Sequence, residues 1–160
     1  MYKILFLIFI SLFFISCGPK NSAFRYFDKN DSETRGVKFT KKADILKDKE
    51  VDVIFMATYL NKIDTKLSDT KTELFLVFTY FSNKDLQNIE DNDYIFLLND
   101  KEPVSIEKVE KDNENFKDLM LKNHWGSYYL VKFNSFDNSD ILSLQLTNQK
   151  SSKAILNFEK

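Results

Sequence analysis

The chain has 160 residues with 23 basic and 24 acidic side chains, which gives a formal net charge of −1. This length suits one domain with one hydrophobic core, and the balanced charge gives no electrostatic reason to expect nucleic acid as a partner. With 16 Phe, 7 Tyr and 1 Trp but only 3 Gly and 2 Pro, the composition argues against a disordered body.

The N-terminus has the pattern of a secretory signal. Lys3 precedes an apolar run over residues 4–15, and the small residue Ser16 follows it. A membrane-spanning helix takes about 20 apolar residues, so the run is too short to span and has the length of a signal-peptide core. Cys17, the only cysteine, comes next. Because it has no partner in the chain, the mature domain has no internal disulfide and depends on apolar burial.

The segment Phe14-Ile15-Ser16-Cys17 resembles the lipobox of bacterial lipoproteins, although Phe14 departs from the leucine most common at its position. The resemblance implies a signal peptide over 1–16 that is cleaved before Cys17. It also implies lipidation of Cys17, followed by a polar tether over 17–36. The alternatives are an ordinary cleaved signal with an incidental cysteine, and a buried cytosolic N-terminal helix.

The anchor implies a location. A buried methylene contributes about 0.8 kcal/mol, so the two or three acyl chains of a lipoprotein hold it on a membrane far longer than one chain does. Gly18 after the cysteine resembles the outer-membrane sorting pattern of some Gram-negative bacteria. We therefore expect a lipid-anchored protein of the cell envelope, at the outer membrane facing the periplasm rather than at the inner membrane.

One modification motif lies in the tether. The sequence Asp28-Lys29-Asn30-Asp31-Ser32 resembles the extended acceptor sequon of bacteria that N-glycosylate envelope proteins. It makes Asn30 a candidate glycosylation site in organisms that have the oligosaccharyltransferase. The alternative is a chance match, because the chain is rich in Asp, Glu and Asn.

From Val37 onward apolar and polar residues alternate as they do in β-strands. Strands are predicted over 41–46, 51–60, 73–81, 94–98, 104–109, 127–133, 141–147 and 154–158. Phe55 and Phe75 are expected in the core. We predict hairpins around 99–102 and 148–152.

A short helix is predicted near 113–123. Phe116, Leu119 and Met120 have the i, i+3, i+4 spacing of an apolar stripe, and Asn113 is a plausible N-cap. Together with about seven or eight short strands, this predicts an all-β fold, an immunoglobulin-like β-sandwich, for a single domain over 37–160.

The residues offer little catalytic chemistry. His124 is the one histidine, and no nucleophile-elbow Gly-x-Ser-x-Gly accompanies it. The acidic run over 90–93 lacks the glycine turn and the distal glutamate of a calcium loop. We therefore expect no enzymatic activity, catalytic residue, metal site or cofactor. Trp125, Tyr128 and Tyr129 lie beside His124 as core residues or as an exposed binding platform, and the core interpretation is favoured.

Three functions remain in order of preference. The first is a membrane-anchored envelope lipoprotein that acts as a non-catalytic binding or assembly module, with another envelope protein as partner and no nucleic acid. The second is a carrier of a small ligand or glycan with an aromatic-lined pocket. The third is a carboxylate-dependent hydrolase, which would need two acids facing each other across a cleft.

Overall fold

The computed structural model describes residues 31–63, 71–137, 139–150 and 152–160, which belong to one compact unit, Asp31–Lys160. Cys17, Asn30 and the predicted signal peptide lie outside the described residues. A short helix, α1 (Asp31–Lys38), precedes the strands. The strands are β1 (Thr40–Lys47), β2 (Glu50–Tyr59), β3 (Thr72–Phe81), β4 (Tyr94–Leu98), β5 (Ser105–Val109), β6 (Ser127–Asn134), β7 (Ile141–Asn148) and β8 (Lys153–Glu159).

The strands form two antiparallel sheets, and the predicted all-β, sandwich-like fold is confirmed. The five-stranded sheet has the order β1-β2-β3-β6-β5, and the three-stranded sheet has the order β4-β7-β8. Without β1, these orders are those of strands ABED and CFG in a constant-type immunoglobulin domain. The immunoglobulin-like assignment itself stays a prediction, because it is supported by strand order alone.

An inner core fills the space between the two sheets. In β3 the alternate residues from Glu73 to Phe81 face it, as period-two geometry requires. The ring of Phe75 lies 5.0 Å from that of Tyr59 and 5.3 Å from that of Phe158 in β8, so aromatic contacts join the sheets. The expected core residues Phe55 and Phe75 are both fully buried.

A second apolar cluster, here the outer cluster, lies on the opposite face of the five-stranded sheet. The sheet contributes Leu76, Phe78 and Tyr128, and the chain between β5 and β6 covers them with Phe116 and Met120. The five-stranded sheet is therefore buried on both faces in its centre. This explains why β3 is an almost continuous apolar run rather than an alternating one.

The predicted helix near 113–123 is wrong. The segment is a series of turns in which Lys117 N–H reaches the Asn113 carbonyl, but Leu119 and Met120 bond to carbonyls three residues back. A short helix is only marginally stable by itself, so the packing of Phe116 and Met120 against the sheet decides the shape of this segment. The predicted apolar stripe is confirmed, because Phe116 and Met120 are buried and Leu119 packs against them.

The eight-residue α1 lies elsewhere, at Asp31–Lys38, and spans the predicted boundary between tether and domain. A Cβ on Gly36 would come 2.6 Å from Leu119 Cδ2, so α1 packs closely on the turns that cover the outer cluster. The part of the chain that the structure describes contains no helix long and apolar enough to cross a membrane.

The predicted hairpin of β4 with β5 is also wrong, although both strands exist. Leu98 pairs with Lys101 in a tight turn in which Asn99 and Asp100 have φ of 47° and 63°. The chain then crosses to the other sheet, where β5 pairs with β6. By contrast, β7 and β8 form the predicted hairpin.

Candidate binding site

The chain that returns from the outer cluster into β6 passes very close to β3 at Gly126. This residue has φ of 69°, and a Cβ on it would lie 2.3 Å from the Thr79 carbonyl oxygen and 2.5 Å from the Phe78 ring. Only glycine fits such a backbone conformation at such a distance. Gly126 therefore fixes where the two preceding residues, His124 and Trp125, leave the sheet.

Trp125 is exposed and is held in place. Its side chain is 68% exposed, while its backbone N–H donates to Asn123 Oδ1 at 3.1 Å and its carbonyl accepts from Lys111 Nζ at 3.0 Å. Its ring stacks on that of Tyr80 with centroids 6.2 Å apart and planes inclined by 30°. Tyr80 thus supports the indole from the protein side.

An open cleft of about 420 Å³ lies between the end of β5 and the start of β6, and its lining includes His124 and Gly126, the two chain neighbours of Trp125, but not Trp125 itself. We call it the Trp125 cleft. Buried residues that belong to the two strands form its floor, and mostly exposed polar residues form its walls. The floor residues are Val109, Ser127 and Tyr128, and the polar wall residues are Lys108, Glu110, Lys111, Asp112 and His124.

The charges of the walls balance. Lys108 and Lys111 oppose Glu110 and Asp112 within one short stretch of chain. Lys108 Nζ donates to Asn88 Oδ1 at 2.7 Å, and burial lowers the pKa of Lys111. The cleft can therefore offer both hydrogen-bond donors and acceptors to a ligand without a net charge.

A buried polar cluster lies near the opposite end of β3. Glu73 is only 1% exposed, and its carboxylate accepts hydrogen bonds from Tyr59 Oη at 2.5 Å and Ser135 Oγ at 3.0 Å. It also forms an ion pair with Lys160 Nζ at 2.7 Å. These groups connect β2, β3, the end of β6 and the C-terminal residue, which gives the cluster a structural role.

The protonation of this cluster follows from its contacts. Burial alone would raise the pKa of Glu73, but hydrogen bonds from Lys160, Tyr59 and Ser135 lower it overall. Burial, followed by the hydrogen bond to Glu73 and its negative charge, raises the pKa of Tyr59. Both effects keep Glu73 ionised and Tyr59 neutral.

The aromatic residues near His124 divide between three environments. Tyr128 belongs to the outer cluster, and its hydroxyl accepts the Leu121 N–H at 2.6 Å. Tyr129 belongs to the inner core and accepts the Ile89 N–H at 3.1 Å. The two tyrosines therefore lie on opposite faces of β6. The core interpretation is correct for both tyrosines but wrong for Trp125.

The remaining candidates have simple positions. His124 is exposed on the cleft wall and follows turns rather than the end of a helix. The acidic run forms a 3₁₀ turn, Glu90–Asn92, in which Asp91 accepts from Asn88 Nδ2 at 2.9 Å. Across the described ranges, no three His, Cys, Asp or Glu side chains are grouped to hold a metal ion.

The sequence interpretation missed Lys108, Lys111 and Gly126 as parts of one site. A usable signal existed, because one of only 3 glycines follows the single Trp and the single His directly. Comparisons of the chain with models of protein families, with curated proteins and with solved structures gave no match.

Proposed function

We propose that the protein is a lipid-anchored cell-envelope lipoprotein whose β-sandwich binds another component of the envelope without catalysing a reaction. The binding role is carried by one observation, the exposed Trp125, which is fixed by its contacts and whose chain neighbours His124 and Gly126 line a preformed cleft. The anchor is supported by the resemblance of Phe14-Ile15-Ser16-Cys17 to a lipobox. The outer membrane, facing the periplasm, is the proposed location.

An exposed Trp backed by another ring has a large apolar surface to bury. Full burial of a large apolar side chain contributes about 1.5–3 kcal/mol, and Trp is among the residues that most often dominate binding energies. The hydrogen bonds to Asn123 and from Lys111 hold the backbone of Trp125 before any ligand arrives. A preorganised group loses less entropy on binding.

Binding without catalysis agrees with the positions of the acids. Glu110 and Asp112 belong to one short segment, whereas a glycosidase pair faces each other across the scissile bond. Glu73 is closed off by three partners. The space between the sheets is filled by stacked rings, so a ligand carried by this fold would bind at the surface.

The anchor is tested by metabolic labelling with an alkyne fatty acid. The wild type should be labelled and should sediment with membranes, whereas Cys17→Ser should lose both properties. As a matched control, Cys17→Ser combined with Ser22→Cys should stay unlabelled, because the new thiol lies outside the lipobox. Equal labelling of the wild type and Cys17→Ser would contradict the anchor.

The binding face is tested by photocrosslinking in intact cells. Leu121 donates its backbone N–H to the hydroxyl of Tyr128, which lines the cleft, and Ile155 is on the exposed face of β8, with similar exposures of 40% and 41%. A benzophenone side chain at position 121 should give a discrete adduct, and the same group at position 155 should not. Equal adduct formation at both positions, or none at position 121, would contradict this assignment.

A further inference from the structure

We infer that Trp125 and Leu121 enter the head-group region of the membrane that carries the Cys17 anchor. This inference rests on the proposed function, because it names the lipid bilayer as the envelope component that the exposed Trp125 binds. Three observations carry it: an exposed apolar surface around Trp125, a stretch of chain without acids that bears it, and the short length of chain that separates the domain from Cys17.

The first observation is a continuous, partly exposed surface on the outer face of the five-stranded sheet. The ring of Trp125 stacks on that of Tyr80, and Tyr80 lies opposite Ile54 in the pairing of β2 with β3. Tyr80 and Ile54 are both partly exposed, and both pack against the outer cluster. Together with Leu121, which belongs to the same loop as Trp125, these residues are called the Trp125 face.

Consecutive turns fix Leu121 close to Trp125. The Asn123 N–H donates to the Leu121 carbonyl at 2.8 Å, and the Trp125 N–H donates to Asn123 Oδ1 at 3.1 Å. The Leu121 N–H donates to the Tyr128 hydroxyl at 2.6 Å, which ties the loop to β6. The side chains of Leu121 and Trp125 are nevertheless 40% and 68% exposed. Their backbone is ordered before any partner arrives, which lowers the entropy cost of binding.

The second observation is the absence of acids from this part of the sequence. None of the residues over 119–136 is Asp or Glu, although the chain has 24 acidic residues. Moving a carboxylate from water toward lipid is costly, and this stretch avoids that cost. Lys122, which is exposed between Leu121 and Trp125, can lay its methylenes on the apolar surface and keep its ammonium group among the lipid phosphates. Segments that lie in a membrane interface combine Lys with Trp and Leu in this way.

The third observation is the covalent distance to the proposed anchor. The chain from Cys17 to Asp31, where α1 begins, spans at most about 50 Å even when fully extended. α1 packs on Leu119 at Gly36, so the described chain begins on the side of the domain that carries Leu121. A surface held so close to a bilayer meets it at a high effective concentration. Contacts too weak to hold a free protein on a membrane are then sufficient.

A bilayer fits the Trp125 face better than the protein partner expected from the sequence. Trp and Tyr have an apolar body and a polar tip, and they are enriched where a membrane meets water. Trp125 and Tyr80 stand side by side on this face. A fluid bilayer also adapts to the irregular loop that carries Leu121, whereas a protein would need a surface of complementary shape.

Trp125 is the chain's only tryptophan, so its fluorescence reports on this face alone. The lipidated full chain is reconstituted in vesicles of phosphatidylethanolamine and phosphatidylglycerol. Some of the lipids carry bromine, which quenches tryptophan on contact, either near the head group or at the end of the acyl chain. Bromine near the head group should quench the emission more strongly than bromine at the chain end, because the ring lies at the interface.

Matched variants separate contact from simple nearness to the membrane. Trp125→Phe with Leu121→Trp moves the probe within the Trp125 face and should keep the quenching. Trp125→Phe with Ile155→Trp moves it to the exposed face of β8, on the opposite side of the sandwich, and should abolish the quenching. Ile155 and Leu121 are 41% and 40% exposed, so the two sites accept a new ring equally well. Ile95→Trp in β4, again with Trp125→Phe, is a second control on that sheet, and circular dichroism establishes that each variant is folded.

The inference is overturned if Trp125 is quenched by neither lipid, or if the variant with Ile155→Trp is quenched as strongly as the wild type. It is also overturned if the photocrosslinked adduct at position 121 is a protein rather than a phospholipid. In those cases fatty-acid labelling of Cys17 would still support the anchor, and a protein adduct would still support the binding module. Loss of labelling together with loss of sedimentation would instead defeat the proposed function, so the two proposals fail separately.

Discussion

The inner core and the outer cluster are both apolar, but different kinds of structure enclose them. The inner core lies between two hydrogen-bonded sheets, and its residues alternate along every strand except β5. One side of the outer cluster is the same five-stranded sheet, while the other side is a run of turns over 113–120 whose backbone hydrogen bonds join only residues three or four apart. The outer cluster should therefore open at a lower free energy than the inner core.

The difference places the candidate site at the edge of the less regular region. The Trp125 cleft lies where the chain leaves β5 for the outer cluster and returns from it into β6. Regular strands fix the floor through Val109 and Tyr128, and irregular chain provides the charged wall residues other than Lys108, which belongs to β5. Binding residues commonly lie on loops that a rigid scaffold positions, and this arrangement follows that rule.

The largest loss of stability is expected from the inner core. Phe75→Ala removes a fully buried ring that contacts Tyr59, Phe133 and Phe158. Unfolding in denaturant should show a loss of about 3–5 kcal/mol. A loss below about 1 kcal/mol would mean that the rings between the sheets do not hold them together.

Gly126→Ala should cause the next largest loss of stability, about 3 kcal/mol. Its positive φ and its close contact with the backbone of β3 would both oppose the new methyl group. Gly36→Ala is the matched control. Its Cβ would meet only the end of the Leu119 side chain, which can rotate away, so it should cost well under half as much. Equal losses would show that Gly126 does not make the close contact with β3.

The outer cluster should be less sensitive than the inner core. Phe116 is buried against the sheet. The turns that carry it can move inward and fill part of the cavity left by a smaller side chain. Phe116→Ala should therefore cost about 2 kcal/mol, less than Phe75→Ala, with little change in the inner strands. A cost as large as that of Phe75→Ala would make the two clusters one cooperative core.

Glu73→Gln should cause the smallest loss of stability, about 1 kcal/mol at neutral pH. The ammonium group of Lys160 is partly exposed, so it can turn toward water when its ionic partner is removed. The pKa of Glu73 is lowered in the folded protein. Its contribution is thus complete above the unfolded pKa, near 4.3, and is lost as the pH falls through the folded pKa. The stability difference between wild type and variant should shrink below about pH 4. A stability difference that does not change with pH would show that ionisation of Glu73 does not contribute to stability.

Strand positions could be predicted from the sequence because alternation is a local signal. All eight predicted strands exist, and the stripe of Phe116, Leu119 and Met120 is apolar packing as expected. The partner of β5 could not be predicted in this way. It depends on the turn at Asn99 and Asp100, after which the chain pairs with β4 at a single bridge only, and on long-range pairing with β6.

The site was predicted only in fragments. The sequence indicates His124 as the one histidine and Trp125 as one of three neighbouring aromatic residues, but the surroundings of both depend on contacts distant in sequence. Tyr80 is brought to Trp125 by the pairing of β3 with β6, and Lys111 reaches it across the cleft. Pattern analysis cannot supply such contacts, because they follow from strand order.

Amide hydrogen exchange of the full chain tests the contrast between the two clusters most directly. Amides of β3 and β6 should exchange only with global unfolding, whereas those over 113–120 should exchange through a separate opening of lower free energy. Phe116→Ala should accelerate exchange over 113–120 more than in β3. Equal protection of both regions in the wild type, lowered equally by Phe116→Ala, would contradict the account.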